Sequence, residues 1–166
     1  MLKRLLLIIV ALVVQPSVAD VQTAKLAPVD KVLVLKSERE LHLISNGERV
    51  RSYQVSLGEE PDGHKLSAGD NRTPRATISS TGAIPAVTST SPSTSPIPMK
   101  RSAPGRVLGL EPGGNIMIHG LPNDADEWAF AFPGLDWTDG CISVSNEAMD
   151  EIWARVTRGT PIEIRP

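Results

Sequence analysis

The chain of 166 residues carries a single cysteine, no apolar stretch to follow the one that ends at Val14, no excess of either charge, and no basic run interleaved with aromatic residues. Each absence excludes something. One cysteine cannot form an internal disulfide. The formal charge of −2 and the missing basic patch exclude a polyelectrolyte partner, so nucleic acid is not expected. Without a second apolar run, nothing after the first residues is suited to span a bilayer. The length allows one sizeable core and leaves no room for two folded domains.

What the chain has at its start is an export signal over residues 1–19. Lys3 and Arg4 form the charged end, Leu5 to Val14 the apolar run, and Ser17-Val18-Ala19 the small-residue cleavage site before Asp20. The run is short for a membrane span, so the mature chain is expected to begin at Asp20, exported and without stable membrane insertion. An unpaired thiol sent into an oxidising compartment is a liability unless it does chemistry. That directs attention to Cys141, in WTDGCISVSN, and to His119, in IMIHG.

The apolar spacing predicts strands at Val32–Leu35, at Leu41–Ile44, and through Val50, Tyr53, Val55 and Leu57. Asn46-Gly47 turns the chain between the last two. Gly58 to Pro74 reads as a loop, in which His64, Lys65 and Asp70 suit a solvated turn. Met149, Ile152, Trp153 and Val156 mark one face of a helix that Asn146 can cap and Gly159 can end, and Ile162 to Ile164 closes as a strand. The expected fold is a β-dominated α+β domain over 30–166 with one main helix after the cysteine. Trp128, Trp137, Phe130 and Phe132 are expected in the core or in a pocket wall.

Residues 76–105 do not match their surroundings, having no leucine, aromatic, carboxylate or histidine. Their composition is that of a Ser/Thr/Pro linker. Their position, inside a single domain, is a poor place for a long structureless insert. Joining the wobble base of each codon to the first two bases of the next admits a different string, IDWRNP…HLSLHISYPNE, which alternates as strands do. Two compensating frameshifts, near Arg75 and Arg106, are therefore expected to bound a frame-shifted segment over 75–105.

A thiol attacks carbonyls as the thiolate, so a working nucleophile needs a nearby base or positive field, and His119 can supply both. The strand-like Ile116–Ile118 would hold the imidazole rigidly, and Gly120 would let the chain turn away. Gly140 would let substrate approach the local amides, which with that of Cys141 are candidates for an oxyanion hole. A buried, inert cysteine and a histidine satisfied within a strand are the ordinary alternatives for each residue alone. A metal site from His119, Asp139 and Cys141 lacks a closed ligand set.

At these residues the chain resembles the YkuD-type L,D-transpeptidase catalytic domain, through IMIHG at 116–120, TDGCISVSN at 138–146 and GDNRTP at 69–74. The restored-frame string is similar to that family's middle section, which would bring a histidine near the position of Thr94. The resemblance implies an L,D-transpeptidase-like β-sandwich or barrel and no metal or organic cofactor. It also implies that Cys141 takes an acyl group from a peptidoglycan stem peptide, with His119 as base and the backbone at Gly140 and Cys141 holding the oxyanion. Gly120, Asp139, Ser143, Asn146 and Trp137 would line the substrate site. Transfer to an amine would cross-link or attach an outer-membrane lipoprotein, and transfer to water would trim or release. Asp139 and Ser143 stand where many family members have histidine and arginine, which leaves the acceptor open. The alternative implied by the altered middle segment is an inactive module that binds wall peptides.

Overall fold

The computed structural model describes residues 28–80, 97–100, 113, 115–122, 125, 129–132 and 134–166. The expected leader at 1–19, Trp128 and most of the serine- and proline-rich segment lie outside these residues, and with them the greater part of the frameshift reading.

The chain opens as a meander: β1 (Lys31–Leu35), β2 (Glu40–Ser45) and β3 (Glu48–Gln54). Asn46 and Gly47, with φ of 51° and 83°, form the tight turn between the last two, a conformation their sequence favours because it matches the strand twist. The uneven step from Val50 to Tyr53 has a cause: the register shifts at Leu43/Ile44, so that Leu43 faces Arg51 while Ile44 faces Arg49 and Val50 is the extra residue of a bulge.

Four short strands and one helix follow before the chain closes. They are β4 (Ala76–Ser80), β5 (Ile97–Lys100), β6 (Met117–His119), β7 (Ile142–Ser143) and helix α1 (Asn146–Arg155), ending in β8 (Pro161–Arg165). The sheet order is β3-β2-β1-β8-β4-β5-β6-β7, with β1 parallel to β8 and β6 parallel to β7. Both described ends of the unusual segment are therefore sheet strands. Ala76 to Ser79 pair with β8, and Ile97, 2% exposed, joins the core opposite Ile118.

The last residues before the loop bring the two edges of the sheet together. Ser56, just past β3, exchanges both backbone hydrogen bonds with Ser143 of β7, each 2.9 Å. The sheet thus curls onto itself, as a sandwich or barrel requires, and its open edges are covered. Inside lie aliphatic side chains, among them Val32, Val34, Leu41, Leu43, Ile118, Ile142 and Ile162, all fully buried. Helix α1 adds Met149 and Ile152, with Trp153 packed partly buried against the cluster.

Two expectations about the helix ends change. Ser145 is the N-cap, its hydroxyl accepting from Ala148 N at 3.2 Å, and Asn146 is the first helical residue. The helix stops at Arg155 because Val156 is extended. Gly159, with φ of 90°, serves the turn into β8 instead. Of the aromatic residues expected in the core or a pocket wall, Phe130 is 79% exposed, Phe132 and Trp137 are partly buried, and Phe132 lines a cavity.

Candidate active site

The parallel pair β6–β7 builds the site. Ile118 faces Ile142 and His119 faces Ser143 in register. Side chains alternate across a strand, so with Ile118 and Ile142 directed into the core, Met117 and His119 point to the other face, as do Cys141 and Ser143. Cys141 is a diagonal neighbour of His119, two residues before its register partner.

The imidazole is held on two sides. His119 Nδ1 lies 2.6 Å from the Gly120 carbonyl, which can only accept, so Nδ1 carries the proton and Nε2 of the neutral ring keeps its lone pair. Trp137 meets the ring edge-on, with centroids 5.8 Å apart, and Phe132 meets Trp137 in turn at 5.3 Å. The role of Gly120 is thus its carbonyl, which also accepts from Ser143 Oγ at 3.4 Å. Asn146 reaches back from the helix start, its Oδ1 accepting from Leu121 N at 2.9 Å, and so fixes the segment after the histidine.

Cys141 is partly buried and unpaired. Its thiol points at the Asn115 carbonyl, with Sγ 3.6 Å away, while the Met117 N–H is directed at the sulfur. Burial raises the thiol above its ordinary value. The Met117 N–H opposes this, Asp139 adds to it, and the charge of Lys65 works against it. Asp139 itself is exposed.

Gly140 is required by the protein's own packing. Its φ is 122°, and a Cβ there would stand 2.6 Å from the Arg72 carbonyl oxygen. Of the local amides expected to hold an oxyanion, that of Gly140 is already engaged, donating to Thr138 Oγ1 at 3.1 Å. No acceptor among the described residues engages the Cys141 N–H. Thr138 Oγ1 also donates to the Cys141 carbonyl at 2.9 Å, and Thr73 Oγ1 approaches the same oxygen at 3.4 Å. These two threonines orient the cysteine backbone, a role the sequence signals only through Thr138, within a T-x-G-C turn.

The loop before β4 is built rather than solvated. Lys65 is 2% exposed and its Nζ contacts Asp70 Oδ1 at 2.6 Å. Asp70 also accepts from the backbone N–H groups of Leu66, Ser67 and Arg72. Lys36 pins the loop to β1 through the carbonyls of Gly63 and Thr73, at 2.8 and 2.7 Å. Arg39 grips Asp136 with two nitrogens, and Asp136 accepts from Leu57 N at 3.0 Å, tying the segment before Cys141 to the meander.

A cavity of about 170 Å³ opens beside the pair, lined by Ser143, Leu121 and Phe132 together with Tyr53, Gln54 and Ser56 from the end of the meander. Neither Cys141 nor His119 lines it, but it adjoins both through Ser143 and Leu121. Among the described residues no helix is long and apolar enough to cross a membrane.

The curled, mixed sheet, with the imidazole in β6 and the thiol just before the parallel β7, matches solved L,D-transpeptidase folds. The enzyme from Xylanimonas cellulosilytica is 18% identical, with a TM-score of 0.54 over 85% of this chain and 62% of that one. The helical cell shape determining protein Pgp2 of Campylobacter jejuni is 21% identical, with a TM-score of 0.62 over 84% of this chain and 48% of that one. Bd1075 of Bdellovibrio bacteriovorus is 18% identical at a TM-score of 0.57, over 84% of this chain and 48% of that one. The chain thus spans about half to three fifths of the length of these structures. No curated protein matches it. The L,D-transpeptidase catalytic domain family, YkuD, matches residues 30–164, and the chain belongs to that family.

Proposed function

We propose that the protein is an exported cysteine acyltransferase acting on peptidoglycan stem peptides. The observation that carries this reading is the placement of Cys141 and His119 on one face of β6–β7, with Nδ1 of the ring committed to the Gly120 carbonyl. His119 Nε2 accepts the thiol proton. The sulfur then forms a bond to the carbonyl carbon of a diamino-acid residue in the stem, and the Cys141 N–H donates to the developing oxyanion. As the carbon–nitrogen bond breaks, His119 returns the proton to the leaving amine. An acceptor amine or water, deprotonated by the same ring, attacks the thioester and releases the thiol.

Gly140 acts here by shaping the turn, and Trp137 by holding the imidazole. Asp139, exposed near the sulfur, and Ser143, which lines the cavity, bound the region a stem peptide would occupy, while Gly120 and Asn146 fix the segment around His119 and Leu121. An amine acceptor would give a cross-link or an attached outer-membrane lipoprotein, and water would give hydrolysis. In this reading residues 1–19 are a cleaved leader, the protein acts in the periplasm, 30–166 is the catalytic domain, and 75–105 is a frame-shifted stretch. Resequencing the gene tests the last point: codons that cannot encode IDWRNP and HLSLHISYPNE in the shifted frame end it.

The reaction is tested with a carbapenem, which acylates nucleophilic thiols. Mass spectrometry is expected to find one adduct on Cys141, absent in Cys141→Ala and slowed at least tenfold in His119→Ala, since a positioned base contributes on the order of 100-fold or more. A folded protein that forms no adduct supports the inactive binding module instead.

A further inference from the structure

We propose that Lys65 is a positioning residue for Cys141: its buried ammonium, held by Asp70, supports the backbone against which the thiol rests and places a positive charge on that side of it. The inference rests on Cys141 as the nucleophile of the reaction proposed above.

A lysine at the end of Gly63-His64-Lys65 has an open route to solvent in most loops, and taking an ammonium out of water costs several kcal/mol. Here the side chain turns inward and is 2% exposed. Its end is packed so closely under Gly113 that a Cβ on that glycine would stand 2.3 Å from Lys65 Cε and 3.2 Å from Nζ. Two residues on, the Asn115 carbonyl receives the Cys141 thiol. The lysine therefore sits beneath the same short stretch of backbone against which the sulfur rests.

The charges around the thiol leave this ammonium a distinct role. Asp139, two residues before the cysteine, disfavours the anion, as does burial, while Lys65 and the Met117 N–H favour it. His119 stands across the strand pair. Asp70 offsets part of the lysine's charge, and Nζ and three backbone N–H groups hold its carboxylate within the loop. Four donors hold one carboxylate, and the positive end of the pair lies toward Gly113.

The single cysteine makes the test direct, since any alkylation by iodoacetamide reports on Cys141. Its rate is measured against pH in the wild type, in Lys65→Met, in the charge-free pair Lys65→Met/Asp70→Asn, and in Lys65→Arg, each with its circular dichroism. In the folded double variant the midpoint is expected to rise by roughly half a pH unit or more, with about threefold slower alkylation at pH 7.5. Lys65→Arg is expected to keep the wild-type midpoint. An unchanged midpoint in a folded double variant overturns the proposal. Should that variant not fold, Asp70→Asn alone leaves the ammonium unneutralised and is expected to lower the midpoint, and an unmoved midpoint there overturns it equally. Alkylation needs no wall substrate, so a shifted midpoint without any carbapenem adduct would sink the acyl-transfer reading alone. An adduct with a fixed midpoint would sink the lysine's role alone.

Discussion

A thiol that is mostly protonated at neutral pH is a weak nucleophile, and Cys141 begins from that handicap. Burial holds it above the ordinary thiol value, with Asp139 adding to the effect and the Met117 N–H and Lys65 opposing. Deprotonation is the reactive step, so alkylation of the free protein is expected to be slow at pH 7 and to climb with pH, with a midpoint above that of free cysteine, near 8.5. A midpoint below 8 by iodoacetamide labelling would mean the thiolate is already preformed. At Gly140, a methyl group would strike the Arg72 carbonyl at 2.6 Å in a backbone conformation that suits only glycine. Gly140→Ala is therefore expected to displace the loop, lowering carbapenem acylation at least tenfold while circular dichroism stays β-rich.

Among the elements, helix α1 depends on its first residues for stability and for the site. Ser145→Ala removes the hydroxyl that accepts from Ala148 N, and is expected to cost about 1 kcal/mol in urea unfolding. Asn146→Ala instead frees Leu121 N, so its expected signature is a drop in acylation rate larger than its stability loss explains. The loop before β4 carries a pH dependence of its own. Burial pushes the Asp70 carboxyl up, but the bonds from Lys65 and from the N–H groups of Ser67, Leu66 and Arg72 outweigh it and hold the group well below the usual carboxylate range. The unfolded chain thus binds the proton more readily, so the contribution is complete above about pH 4 and is lost as pH falls toward the folded value. Urea midpoints measured from pH 6 to pH 3 are expected to fall more steeply in the wild type than in Asp70→Asn. Parallel slopes would remove Asp70 from the account.

For the whole molecule, closure joins the halves. Ser56 meets Ser143 across the two sheet edges, and Ile162 of β8 pairs with Val32 on one side and Ile78 on the other. A cavity at Ile162 removes contacts from both halves of the sheet, so Ile162→Ala is expected to cost about 2–5 kcal/mol in one cooperative transition. Two separate transitions would mean that the meander and the half carrying Cys141 fold independently.

Local chemistry alone determined the turn at Asn46-Gly47 and the apolar face of α1, because each depends on neighbours within a few residues, and it marked a lone cysteine and a histidine as residue types without placing one against the other. Tertiary contact decided the rest. Gly140 is needed because a distant loop approaches it, Lys65 is buried because Gly113 lies over it, and Asn146 became an anchor once Leu121 stood in front of it. The sequence can mark a residue type and its period, but which carbonyl stands opposite it depends on how a curled sheet brings together strands that are remote in the chain.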